Sequence, residues 1–265
     1  MKNLKYNNAL PMILSTCLLA APLAFASDDA TEDAPSKAPS RADTPITQAE
    51  RVSLLPTAGS MLVFLDQRSE QPLKVSALED STALYGFSGG VSKTGGSFQL
   101  GQLMATLDAQ LRNGQVSEAQ DSLTQLEQRL SAFGASPALI AATAELGQAL
   151  KNSQDGQAID PIGLAVLRPF LEDFVVQEGR LAYLRLGEWT QAIQIALDTG
   201  DQEALTTMLS MSDRYLEVMA EEPELPESLA DLISRYQEIG SLSNLGARDL
   251  DAVRDNTQKL VTLLG

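Results

Sequence analysis

The stretch LAYLRLGEWTQAIQIALDTGDQEAL, Leu181 to Leu205, decides how the rest of the chain is read. Its first residues read as the end of one helix, Gly187-Glu188 as a tight turn, and the remainder as a second helix. That second helix carries the only tryptophan of the chain. Trp189, Ala192, Ile193, Ala196 and Leu197 recur at three- and four-residue spacing, the period of one helix face. Trp189 shares its stripe with Ile193 and Leu197, so it reads as core. Gly200-Asp201 reads as a helix stop followed by an N-cap. The expectation is an all-α protein: an array or bundle of antiparallel helical hairpins, or a short irregular solenoid.

The same period extends in both directions. Leu100, Leu103, Met104, Leu107 and Leu111 form one stripe from Phe98 onward, ended by Gly114. Ser117 and Gln120 have capping-box spacing, and Val116, Ala119, Leu123, Leu126, Leu130 and Phe133 form the next seam, ended by Gly134. Ser136-Pro137 and Asp160-Pro161 each supply an N-cap and a first-turn proline. Leu167, Phe170, Leu171, Phe174 and Leu181 mark a helix that contains Pro169. Leu205, Met208, Leu209, Leu216 and Met219 mark another, before EEPELPE (Glu221–Glu227) interrupts. Leu229, Leu232, Ile233 and Tyr236, then Leu250, Val253, Leu260 and Leu264, mark the last two. The total expected is roughly seven to nine helices joined by short turns.

Two of these places share a phrase. LDAQLRNGQVSEAQDSL and AYLRLGEWTQAIQIAL both run helix, glycine, polar turn, helix. The pattern resembles the hairpin of the tetratricopeptide family. Leu186-Gly187, Trp189 and Ala192 match in one copy, Gly114 and Ala119 in the other. The two glycines lie 73 residues apart, about two periods of a repeat of roughly 34 residues. The resemblance implies a concave surface that binds other proteins or peptides.

The remaining segments are less regular. Residues 1–26 read as a secretory signal: Lys2 and Lys5, an apolar run broken by Pro11 and Pro22, and Ala24-Phe25-Ala26 before the cleavage point. The address implied is the periplasm. LSTC at Cys17 approximates a lipidation motif, but the apolar run continues beyond it, so membrane contact is expected only if the leader is retained or Cys17 is lipidated. Residues 27–45 carry almost no large apolar side chain and read as a disordered linker. Residues 46–97 read as an irregular segment with a Gly-rich loop at 86–96. Within it, Ser60–Gln67 fits a buried strand or a short helix, and Ser76-Ala77-Leu78-Glu79 fits a capping box opening a short helix. Residues 98–265 are the helical domain.

Composition narrows the chemistry. The chain has 265 residues with 44% hydrophobic and 5% aromatic side chains, a balance that favours helix over sheet. Its 35 acids against 19 bases give a net charge of −16, which repels nucleic acid. There is no histidine, and the one cysteine lies in the leader. Most metal sites, thiol nucleophiles and Ser-His-Asp triads therefore lack their residues. The phosphate-loop pattern fails at GFSGGVSKTGG, because Phe87 and Ser92 stand where glycines belong. A calcium loop fails at KNSQDGQAID, because Lys151 and Ile162 fall at ligand positions. Helical lytic transglycosylases use a Glu-Ser dipeptide; Glu227-Ser228 matches that dipeptide alone, without the family's downstream motifs. Glu172-Asp173 and Glu221-Glu222 read as solvated helix faces. The expectation is a non-enzymatic interaction or scaffolding module of the bacterial cell envelope, partnered by another envelope protein, with no cofactor, metal or nucleic acid. The alternative is a small-ligand-binding or stress-sensing periplasmic protein with an apolar pocket between helices. For that alternative Trp189, Tyr183 and Phe174 are the candidate contacts.

Overall fold

The computed structural model describes residues 46–69, 72–75, 92–153, 162–223, 225–242 and 244–264. The leader, the linker, the expected short helix at 77–85 and the turn at Asp160-Pro161 lie outside the described residues. Within them there are eleven helices and no strand: α1 (Gln48–Ser53), α2 (Ala58–Arg68), α3 (Lys93–Arg112), α4 (Val116–Ala132), α5 (Pro137–Lys151), α6 (Ile162–Gln177), α7 (Leu181–Thr199), α8 (Gln202–Leu209), α9 (Ser212–Met219), α10 (Glu227–Gly240) and α11 (Ala247–Leu264). The class is the all-α one expected, with neighbouring helices packed as hairpins.

Several local signals act as their chemistry dictates. Asn113 closes α3 and Gly114 follows at φ 68°. Gly114 N donates to Leu111 O at 3.0 Å and Gln115 N to Gln110 O at 2.9 Å, the paired bonds of a Schellman ending that needs a left-handed residue. The same two bonds close α4 at Gly134. The Ser136 side chain accepts from Leu139 N and caps α5, and that of Asp201 accepts from Ala204 N and caps α8. The ambiguous run at Ser60 is helical. Thr57 caps α2, and Ala58, Met61, Leu62 and Leu65 are buried at helical spacing. That period shows only when the stripe is begun at Ala58 rather than at Ser60.

The opening stretch departs from its expected form. No turn occurs at Gly187-Glu188, because α7 runs unbroken from Leu181 to Thr199. Gly187 serves a close approach instead. A Cβ there would fall 1.9 Å from the carbonyl oxygen of Phe98 on α3, and one at Gly101 would fall 2.1 Å from that of Leu184 on α7. Two glycines, one on each helix, thus let the backbones touch. The hairpin is real at α3–α4 and absent at the second copy, so the two glycines 73 residues apart are not equivalent.

The same reason corrects the end of the Gly-rich loop, 92–96, and the helix start at Phe98, while 86–91 lie outside the described residues. Ser92 caps α3 by accepting from Gly95 N at 3.1 Å, so Lys93–Gly96 form its first turn. Cβ atoms at Gly95 and Gly96 would meet Leu264 O at 2.4 Å and the Phe133 ring at 2.0 Å. Both glycines admit neighbours. The segment expected to be irregular, 46–97, therefore holds α1, α2 and the start of α3. Smaller differences follow from local geometry. Ser117 lies inside α4, whose N-cap is Gln115 and whose cap has no side-chain bond. The Leu205–Met219 stripe is split by Ser210-Met211 into α8 and α9. In α6 the buried stripe is Leu164, Leu167, Leu171 and Val175, which turns Phe170 outward and leaves Phe174 half-buried; Leu181 opens α7.

Helices α3 and α7 make the most extensive pairing in the protein and form a wall between two cores. On one side α3, α4, α5, α6 and α7 each pack on the next, and α7 returns to α3. Their shared interior is almost entirely leucine. On the other side α1, α2, α8, α9, α10 and α11 enclose the aromatic core. Every residue of α3 from Gly95 to Leu111 is buried, as is α7 from Ala182 to Ile193, the condition of helices covered all round. Gly187→Ala should lose at least about 3 kcal/mol of unfolding free energy in urea, since its methyl meets backbone that cannot swing aside. Gly147→Ala should be neutral or gain roughly 0.5–1 kcal/mol, because its Cβ meets only the Leu123 side-chain end at 3.4 Å.

Candidate functional site

Trp189 is fully enclosed. Its ring stacks on Tyr215 with centroids 4.4 Å apart and meets Tyr236 edge-on at 5.2 Å. The indole N–H donates to the Met208 carbonyl at 2.9 Å. An aromatic ring with both faces packed and its one donor satisfied is a core residue. Tyr183 is buried in the same aromatic core. Phe174 instead packs against the leucine core. It borders a small hollow of about 60 Å³ with Lys93, Ser97, Phe133 and Arg180. The three candidate contacts therefore do not converge. Glu227 is exposed in the first turn of α10, where a carboxylate favours the positive end of the helix dipole. No group of three His, Cys, Asp or Glu side chains able to hold a metal occurs among the described residues.

What the structure does bring together is charge. Helix α7 is buried without a break from Ala182 to Ile193, and Arg185 and Glu188 sit within that run one turn apart. Glu188 is wholly buried and receives two guanidinium groups: Arg185 Nη1 at 2.9 Å and Arg168 Nη1 at 2.6 Å. Arg185 Nη2 reaches Glu172 at 2.8 Å, and Arg168 reaches Glu172 at 3.5 Å. Glu172, expected on a solvated face, is thus drawn into the cluster, while Asp173 stays exposed. On α3, Asp108 Oδ1 accepts from Arg112 Nε at 2.7 Å. Three helices thereby contribute three cations and three anions at one junction. Charges removed from water need such mutual pairing to remain ionised.

Burial and pairing act against each other here. Burial pulls the Arg185 guanidinium down, but Glu188 and Glu172 more than restore it and hold it above its ordinary value. For Asp108 burial wins: its carboxyl titrates above the usual aspartate range despite Arg112 and Arg168. Burial, with Glu188 nearby, pushes the Tyr215 hydroxyl well up. At Glu222, half-buried beside α1, burial alone raises the carboxyl, and Gln48 Nε2 donates to it at 3.2 Å.

The cluster opens on a cleft of about 400 Å³ between α2 and α6, lined by Gly59, Asp108, Arg112, Arg168, Glu172 and Asp173 among others. Above it, α6 leaves large apolar side chains uncovered: Val166 is 54%, Phe170 43% and Val176 51% exposed. At 100° per residue these three and the exposed Pro169 fall within an arc of about 120°. The helix thus has two apolar faces, one on the leucine core and one toward solvent.

The chain matches no protein-family model, and no curated protein or solved structure matches it.

Removing one member of the cluster should cost far more than a surface pair would. Glu188→Ala leaves two guanidinium groups to share Glu172 alone and should lower stability by about 3–5 kcal/mol, read from urea unfolding. The sign for Asp108 is opposite to that of a normal paired acid. Its folded pKa is raised, so the folded state binds the proton more tightly and stability falls as pH rises through the window above about 3.9, the ordinary aspartate value. Asp108→Asn lacks that loss. Its stability relative to the parent chain should therefore improve as pH rises through the window, measured by urea titrations at a series of pH values.

Proposed function

We propose that the chain is a non-enzymatic protein-interaction module of the bacterial cell envelope and docks its partner on the outer face of α6. The observation that carries this reading is the uncovered Val166, Phe170 and Val176 beside a charge-lined cleft. An aromatic anchor, aliphatic neighbours and arginines at a cleft edge are the side chains in which binding energy concentrates. The envelope address rests on the leader read at residues 1–26, and the charge of −16 favours a protein partner over nucleic acid. The hairpin at α3–α4, turned by Gly114, is what supports the likeness to tetratricopeptide-type interaction modules. Among the described residues no helix is long and apolar enough to cross a membrane.

A photo-crosslinking amino acid placed at Phe170 should capture a discrete protein in an envelope fraction. The same group at Thr124, exposed on α4, should not, and Val166→Asp should cut the Phe170 adduct at least tenfold without moving the urea midpoint. Equal adducts at Phe170 and Thr124, or none at Phe170, would contradict the reading.

A further inference from the structure

Residues 72–75 belong to no helix, yet they are held like a bound peptide. The side-chain amide of Asn113 engages both backbone groups of Leu73: Leu73 N donates to Oδ1 at 3.0 Å, and Nδ2 donates to Leu73 O at 2.6 Å. Lys74 N donates to Thr199 Oγ1 at 3.1 Å. The Leu73 side chain is buried in the aromatic core, and Val75 packs against that core. Alongside runs an open groove of about 850 Å³, bordered by Asn113, Gln115, Leu197, Asp198 and Arg254 together with residues 72–75.

The donor and acceptor pair on Asn113 reproduces what a neighbouring β-strand offers one residue of an extended chain. Such a clamp reads backbone and ignores side-chain identity; selectivity then comes from the pocket that takes the alternate side chain. Both halves are present, a backbone clamp and a leucine seat. The clamp is also preorganised. Asn113 is the C-cap of α3, set by the Schellman ending, and its Nδ2 donates a second bond to Gln115 Oε1 at 3.1 Å. Thr199 is the last residue of α7. The receiving groups therefore sit on the ends of the two central helices, and the seated residues, 72–75, belong to no helix or strand. None of these residues lines the α2–α6 cleft.

We propose that the groove across the C-terminal ends of α3 and α7 is a second binding site, for an extended peptide anchored by a leucine-like side chain, and that residues 72–75 fill it in cis. A partner peptide enters by displacing Leu73 from its seat and pairing its own backbone with Asn113 and Thr199. The tethered segment competes at an effective concentration on the order of millimolar, so the intact chain binds such a peptide weakly.

The test uses the full chain and a fluorescein-labelled peptide of residues 72–75, PLKV, read by fluorescence anisotropy. Leu73→Ser empties the seat and leaves the receiving groups in place. It should bind the peptide at least tenfold more tightly than the parent chain, and the peptide should raise its melting temperature. A peptide with serine in place of leucine should lose at least tenfold in affinity. Adding Asn113→Leu to Leu73→Ser should abolish binding. If Leu73→Ser does not fold, Leu73→Ala carries the same comparison. A folded seat variant that binds the peptide no better than the parent chain, or binding that survives Asn113→Leu, would overturn the proposal.

Discussion

The contact between the backbones of α3 and α7 sets the terms for the rest of the protein. Phe98 O lies only 1.9 Å from where a Cβ of Gly187 would be, and Leu184 O 2.1 Å from where a Cβ of Gly101 would be. With side chains in those positions the two helices would stand farther apart, and the partners of both would lose their fit. The leucine core on one side and the aromatic core on the other both include residues of this pair. Stability in each core therefore depends on a wall that only small residues permit.

A pair of helices covered all round has no solvent face on which to place polar groups. Most polar side chains on them find a partner inside, although Thr106 Oγ1, Gln110 Oε1 and Arg185 Nε have none among the described residues. Gln99 takes Arg129 from α4, Thr190 returns its hydroxyl to Leu186 O at 2.7 Å, and Glu188 takes two arginines. The charge cluster is in this sense a consequence of the α3–α7 wall. Its outer edge, however, reaches a cleft, where Asp108, Arg112, Arg168 and Glu172 border the opening beneath the uncovered face of α6. Asn113 and Thr199 repeat the logic at the C-terminal ends of α3 and α7. They finish buried helices, and their side chains turn to hold a passing backbone.

The fold class was legible because leucine and alanine stripes at helical spacing run through most of the chain, and because Gly114, Gly134 and Gly200 stand where those stripes stop. Gly187 was misread for a physical reason. A glycine before a polar residue looks the same whether it frees the backbone to turn or frees space for a neighbour. The discriminating signal was present: Ala182, Leu186, Trp189, Ile193 and Ala196 keep one phase straight through Gly187, whereas a turn would reset it. Gly95 and Gly96 concealed their role in the same way, since the neighbours they admit, Leu264 and Phe133, are remote in sequence. Arg185 and Glu188 could have been singled out as a charged pair one turn apart in a run, Leu181 to Leu197, with no other charge. Their partners on α6 could not, because Arg168 and Glu172 also satisfy each other at i,i+4. Nothing local marks Asn113 as a clamp; as a helix C-cap it already has a sufficient role.

Native-state hydrogen exchange tests the central claim most directly, because it reports which segments open together. If the α3–α7 contact is the common support, amides from Leu100 to Leu111 and from Tyr183 to Ala196 should exchange only through global unfolding, with one shared dependence on urea. The outer helices, α5 and α10 among them, should open at lower free energy. Exchange of α7 amides in step with α10 while α3 remains closed would show that the two helices belong to separate cooperative units, and would contradict the account.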